Sequence, residues 1–308
     1  MLFIALLIAL LCLGAIYEAF SARSDPDRHP PPGQLIDVGG IRLHLNCTGS
    51  GSPVVVLESG LGDSSLVWSE VQSRLSRSHR VCSYDRAGIA WSDPGKGPWD
   101  GQIAVNQIRA LLRAAGENPP YVLVGHSAGA NYARLFAITY PSDVQALLLV
   151  EPPLLSDVPP VYVFFLKALR AAIGGASRVG GIRLLGRLHL MKILFAGASP
   201  PEAISDAAGF LYNYRSIAAS IREVGALPAT ITRVNELSTP GALQDIPFFI
   251  VAAQSGTEQP ARLAQALQEL AKLSSRGRVI SVASSHFVHF DTPETLVNYI
   301  KEAAEDTQ

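Results

Sequence analysis

Gly125-His126-Ser127-Ala128-Gly129 places one hydroxyl between two glycines, each two residues away. This is the pattern of a serine held on a sharp strand-to-helix turn. The surroundings fit such a turn. Val122-Leu123-Val124 precede it as a short apolar strand, and Tyr132, Leu135, Phe136 and Ile138 follow at helical spacing up to Tyr140-Pro141. A serine hydroxyl becomes a useful nucleophile only when a base takes its proton, and an acid must hold that base in the right tautomer. The turn also aims the Ala128 amide at the point where negative charge would develop on an attacked carbonyl. Two histidines late in the chain, His286 and His289, could serve as the base. His286 directly follows the last apolar strand pattern, so it belongs at the same sheet edge as Ser127.

The elements that must carry these groups alternate. A hairpin is expected over 35–45, with strands at 53–57, 80–84, 121–124, 144–150, 246–253 and 278–282. Helices fall between them at 65–77, 102–115 and 261–273, with another that starts directly after Ser127 and ends at Tyr140-Pro141. A last helix opens at Thr292-Pro293, with Thr292 as N-cap. This alternation predicts a mostly parallel sheet covered by helices on both faces. His44, in an alternating strand, is expected on a solvated face. The stretch 152–245 breaks the rhythm with three apolar helical pieces, at 161–173, 182–195 and 203–224, and reads as a helical cap inserted over the strand ends. Its apolar residues, among them Phe164, Phe165, Ile193, Leu194, Phe195 and Phe210, have three possible uses: packing on the core, lining an acyl pocket or meeting lipid.

The chain has 308 residues, 48% of them hydrophobic and 17% charged, with a formal net charge of −1. A substantial core is expected. Neither a basic stripe nor clustered Cys/His spacing argues for nucleic acid or a metal. The first residues stand apart. Leu2 to Tyr17 are uncharged and almost wholly apolar, and Glu18 interrupts the run. The segment 1–22 is expected to be a membrane anchor, with a signal peptide cleaved after Ser21 as the rival. Arg23 and Arg28 after the span tilt the domain toward the cytoplasmic side; cleavage would instead give a secreted protein. The proline-rich stretch 23–33 reads as a stiff linker.

Three motifs carry a family resemblance. Val124-Gly125-His126-Ser127, Asp85-Arg86-Ala87-Gly88-Ile89-Ala90-Trp91-Ser92-Asp93 and Ser285-His286-Phe287-Val288-His289-Phe290-Asp291-Thr292-Pro293 stand in the order of the α/β-hydrolase superfamily, which the chain resembles over 33–305. The resemblance implies an α/β fold with a mostly parallel eight-stranded sheet. Its core would be 34–151 and 246–308, with the cap at 152–245. It selects His286 as base and the amides of Leu61 and Ala128 as oxyanion donors. The family's usual His-Gly after the third strand is Ser59-Gly60 here, but a backbone N–H of Leu61 can still donate. Ala90 and Ala130 stand where glycine is common. The acid departs most from the family: Glu151, ending the sixth strand, is preferred, and Glu258 is the alternative. Asp85 is expected to bond loop amides. The family strand order makes the strands of Cys47 and Cys82 neighbours; two buried free thiols are expected, with a disulfide as the alternative.

The expected function is therefore that of a membrane-associated serine hydrolase cleaving an apolar acyl ester, a small molecule, without cofactor or metal. A cofactor-free perhydrolase or haloperoxidase-like activity, an amidase, and a non-catalytic ligand-binding homologue are the alternatives.

Overall fold

The computed structural model describes residues 2–95, 97, 99–154, 158–195, 197–254 and 261–306. Its centre is an eight-stranded sheet in the order β1-β2-β4-β3-β5-β6-β7-β8. The strands are β1 (Gln34–Asp37), β2 (Arg42–Thr48), β3 (Val54–Glu58), β4 (Val81–Tyr84), β5 (Tyr121–His126), β6 (Val144–Val150), β7 (Phe248–Ala253) and β8 (Gly277–Val282). β2 pairs antiparallel with β1 and β4; the other pairings are parallel. An unbroken apolar run suits a strand covered on both faces. Val54-Val55-Val56-Leu57 shows how: Val54 and Val56 join one core cluster, Val55 and Leu57 the other. The helices Gly101–Ala114 and Ala128–Thr139 cover the first face, and Ser69–Leu75 and Pro293–Glu305 the second. Asp100 caps the Gly101 helix by accepting from the Ile103 amide at 2.8 Å. Thr292 stands before Pro293 as expected, but its hydroxyl bonds the Val288 carbonyl and caps nothing.

Between β6 and β7 the chain forms helices at Pro160–Arg178, Gly181–Arg187, Glu202–Asp206, Ala208–Leu211 and Tyr214–Leu237. The apolar stretch expected at 203–224 is broken near Asn213. Its side chain accepts from the amides of Arg215 and Ser216 and starts a new helix. The apolar residues of this insertion divide. Phe195 is buried, whereas Phe164, Phe165 and Ile193 face outward at 73%, 60% and 63% exposure.

Three local expectations are corrected. His44 is fully buried, because Trp91 covers it and Asp85 accepts from its Nδ1 at 2.8 Å. Cys47 and Cys82 are not free thiols. Antiparallel pairing of β2 with β4 sets them directly opposite each other with Cα atoms 4.1 Å apart, and they form a disulfide. The proline-rich segment is not a plain spacer. Asp25 is buried, and it and Glu18 each make two hydrogen bonds of 2.8–2.9 Å to the Arg183 guanidinium. These two carboxylates hold Arg183 well above its ordinary range, with the Glu18 hydrogen bond the largest contribution. The helix Leu2–Arg23 is apolar and long enough to cross a membrane or to serve as a signal sequence.

The disulfide is open to direct measurement. Denatured without reductant, the protein should be alkylated at Cys12 alone. Replacing both Cys47 and Cys82 by serine should lower unfolding stability by up to about 4 kcal/mol, the loop-closure contribution of a bridge of this span. Full alkylation at all three cysteines would contradict this.

Candidate active site

Ser127 sits between β5 and the helix Ala128–Thr139 with φ 51° and ψ −123°. A non-glycine residue holds such a conformation only when its surroundings impose it. Here the Ser127 amide bonds the Val150 carbonyl of β6 at 2.9 Å, and the flanking glycines let backbones meet. A Cβ on Gly125 would lie 2.7 Å from the Gly129 carbonyl oxygen; one on Gly129 would lie 2.4 Å from that of Ser59. Larger side chains would push the turn off both the helix and the loop after β3.

β6 and β7 place the acid. Glu151 follows β6 directly with φ 51°, and its amide bonds Val251. One carboxylate oxygen accepts from the Ala253 amide at 2.6 Å, and the other lies 3.2 Å from His286 Nδ1. Glu258, the alternative acid, lies outside the described residues. The two histidine candidates separate by burial. His286 is partly exposed at the cavity that Ser127 also lines. His289 is fully buried against Trp68 and His126, and among the described residues neither ring nitrogen has a hydrogen-bond partner. Burial holds it far below the usual imidazole range, so it stays neutral. No hydrogen bond joins the Ser127 hydroxyl to the His286 ring in this arrangement; such bonds often close only around substrate.

His126, inside the serine motif, has a part the sequence does not signal. Its Nε2 lies 2.9 Å from the His286 carbonyl oxygen. A carbonyl can only accept, so Nε2 carries the proton. Burial, and then His286, push the His126 pKa down to about 3, which keeps this ring a neutral strut beneath His286.

The loop after β3 is fixed by Arg86. Its buried guanidinium donates to the carbonyls of Ser59 and Gly60, at 2.8 and 2.6 Å, and to the carboxylates of Glu58 and Glu223. Burial opposes the Arg86 charge, but Glu223 and Glu58 outweigh it and its pKa is raised. Glu223, from the helix Tyr214–Leu237, also accepts from the Gly62 amide at 2.8 Å. The insertion and the core thus grip the loop together. Between these grips, the Leu61 amide has no protein acceptor among the described residues, and neither has that of Ala128. Tyr84 adds a hydrogen bond to Glu58, whose carboxyl burial pushes upward. Leu61, Ser127 and His286 share one cavity of about 230 Å³, walled on the insertion side by Ile173, Leu194 and Ile217.

A serine at positive φ after a central parallel strand, with a histidine and a carboxylate at the ends of later strands, has the layout of an α/β-hydrolase sheet edge. The chain belongs to the alpha/beta hydrolase fold family, whose model matches residues 53–293. A Bacillus subtilis relative, the uncharacterized protein YbdG, is 26% identical over 193 residues, covering 61% of this chain and 56% of its own length. The chain spans about half or less of the length of the curated relatives it matches. A thioesterase domain from the curacin biosynthetic pathway superposes with a TM-score of 0.65 at 21% identity, covering 87% of this chain and 98% of that one. A putative lipase from Acinetobacter baumannii gives 0.65 at 18% identity, with 93% and 96% covered. At these identities the likeness is one of fold.

Two variants test the scaffold. Gly129→Ala should lower unfolding stability by roughly 1–3 kcal/mol or more, because the Ser59 carbonyl is backbone and cannot swing aside. Arg86→Met should cost roughly 3–5 kcal/mol by leaving Glu58 and Glu223 buried without their cation. A melting curve unchanged in either variant would contradict the packing described.

Proposed function

We propose that the protein is a serine hydrolase that cleaves a carboxylic ester through an acyl-enzyme. The observation that carries this reading is the Glu151–His286 contact, opening on the cavity that Ser127 lines. Glu151 accepts from Nδ1–H of His286 and so leaves Nε2 free to take the Ser127 proton. The hydroxyl oxygen attacks the substrate carbonyl, and the Leu61 and Ala128 amides receive the oxyanion. His286 returns the proton to the departing alcohol. Water then repeats the sequence against the acyl-enzyme, using the same base. A volume of about 230 Å³ suits a short acyl group lying on the apolar wall. The hydrolase family, and structural neighbours named as a thioesterase domain and a putative lipase, agree with this class.

The N-terminal helix is read as a membrane anchor. The Cys47–Cys82 bond favours the oxidising side of that membrane over the cytoplasmic side suggested by Arg23 and Arg28.

The test is active-site labelling together with ester turnover. A fluorophosphonate probe should attach to Ser127, and Ser127→Ala should abolish both labelling and hydrolysis. Glu151→Gln should hold His286 in the wrong tautomer and lower kcat by roughly 10³–10⁴-fold with little change in KM. Unimpaired turnover in Glu151→Gln would remove it from the reaction. Absence of labelling in the wild-type protein would leave a ligand-binding homologue as the better reading.

A further inference from the structure

Two groups of opposite charge face the cavity without touching each other. Asp63 lies two residues beyond Leu61 on the loop after β3. Arg170 reaches in from the helix Pro160–Arg178. Neither is used by the reaction proposed above. Arg170 is held in place from both sides: its Nε donates to Ser220 Oγ at 2.7 Å and one terminal nitrogen to the Leu61 carbonyl at 3.0 Å. Its other terminal nitrogen has no acceptor among the described residues. The Asp63 carboxylate likewise has no hydrogen-bond partner and no ion pair among them, although Arg170 is near enough to act on its charge. Tyr212 lines the cavity beside Asp63.

A half-buried carboxylate and guanidinium would ordinarily close on each other. Here Ser220 and Leu61 hold the guanidinium back, so an acceptor and a donor face one small space. A substrate carboxylate would suit Arg170 but would be repelled by Asp63; an ammonium would meet the reverse. A neutral group that both donates and accepts satisfies both at once. Burial pushes Asp63 up to about 6, so near neutral pH it is mainly the ionised acceptor that this arrangement requires.

We propose that Asp63 and Arg170 form a polar subsite, and that the ester cleaved here carries a neutral hydroxyl or secondary amide that donates to Asp63 and accepts from Arg170. This rests on the serine-hydrolase reading and narrows its substrate class. Such a site should reject the plain analogue more strongly than an apolar pocket rejects one missing methylene, because the analogue leaves buried polar groups unpaired.

The experiment compares kcat/KM within pairs that differ in one group. The acyl pair is p-nitrophenyl butanoate and p-nitrophenyl β-hydroxybutanoate. The alcohol pair is ethyl butanoate and hydroxyethyl butanoate. The charged control is p-nitrophenyl hemisuccinate. The wild-type protein should prefer the hydroxylated member of at least one pair by roughly tenfold or more. That preference should fall toward unity in Asp63→Ala and in Arg170→Met. The ratio within a pair is insensitive to general damage in a variant, and the wild-type ratio stands even where a variant fails to fold. Equal rates within both pairs, a preference for hemisuccinate, or a preference that survives both substitutions overturns the subsite while leaving the hydrolase reading intact. Absence of turnover with every ester, together with no fluorophosphonate labelling of Ser127, overturns the hydrolase reading and the subsite with it.

Discussion

One buried cation holds the site together. Arg86 emerges from the end of β4 and meets the β3 carboxylate Glu58, two carbonyls of the loop between Ser59 and Gly62, and Glu223 from the inserted helices. A cation this far from water is tolerable only with matched anions and acceptors on every side. The consequence is geometric. The loop carrying the Leu61 amide cannot shift without breaking charge-assisted hydrogen bonds, and neither can the insertion that donates Glu223. An oxyanion donor works through being fixed before charge appears. The Arg86 cluster fixes one of the two proposed oxyanion amides in this way, and the helix after Ser127 fixes the other.

The geometry of the candidate site is otherwise a product of strand ends. β5, β6 and β7 are neighbours in parallel register, so Ser127, Glu151 and the Ala253 amide emerge at one edge. β8 is the next strand along, and its following turn brings His286 to the same edge. The positive φ at Ser127 and at Glu151 marks where the chain is bent out of strand geometry to turn these side chains toward one space. His126 supports His286 from below through its backbone carbonyl. One tripeptide therefore holds the proposed nucleophile, one of the two proposed oxyanion amides and a prop for the proposed base.

Much of this was legible in the residues. Unbroken β-branched runs marked the buried strands, and the spacing around Ser127 marked the turn. The family resemblance favoured His286 over His289, and the burial of His289 agrees with that choice without testing it. What escaped were pairings across long stretches of chain. Arg86 and Glu223 are 137 residues apart, and nothing local to either names the other. A signal did exist: Glu223 shares a helix face with Ile217, Ser220, Val224 and Leu227, and an acid on a buried stripe requires a partner. His44 was misplaced for a related reason. Alternation along β2 shows which residues share a face, but not that Trp91 and Asp85 cover that face. The cysteine pair depended on register, which only the assembled sheet supplies.

The salt-bridged end of the N-terminal helix has a bearing on distance. The uncharged stretch from Leu2 to Tyr17 spans about 24 Å as a helix, against roughly 30 Å of bilayer hydrocarbon. Beyond it, Glu18 and Asp25 are tied to Arg183 within the insertion, so no free tether remains to make up the difference. Where this helix is embedded, the globular body is drawn down into the headgroup layer. The outward aromatic rings at Phe164 and Phe165 belong to the same insertion that the helix contacts, so an embedded helix would keep that insertion close to the membrane surface.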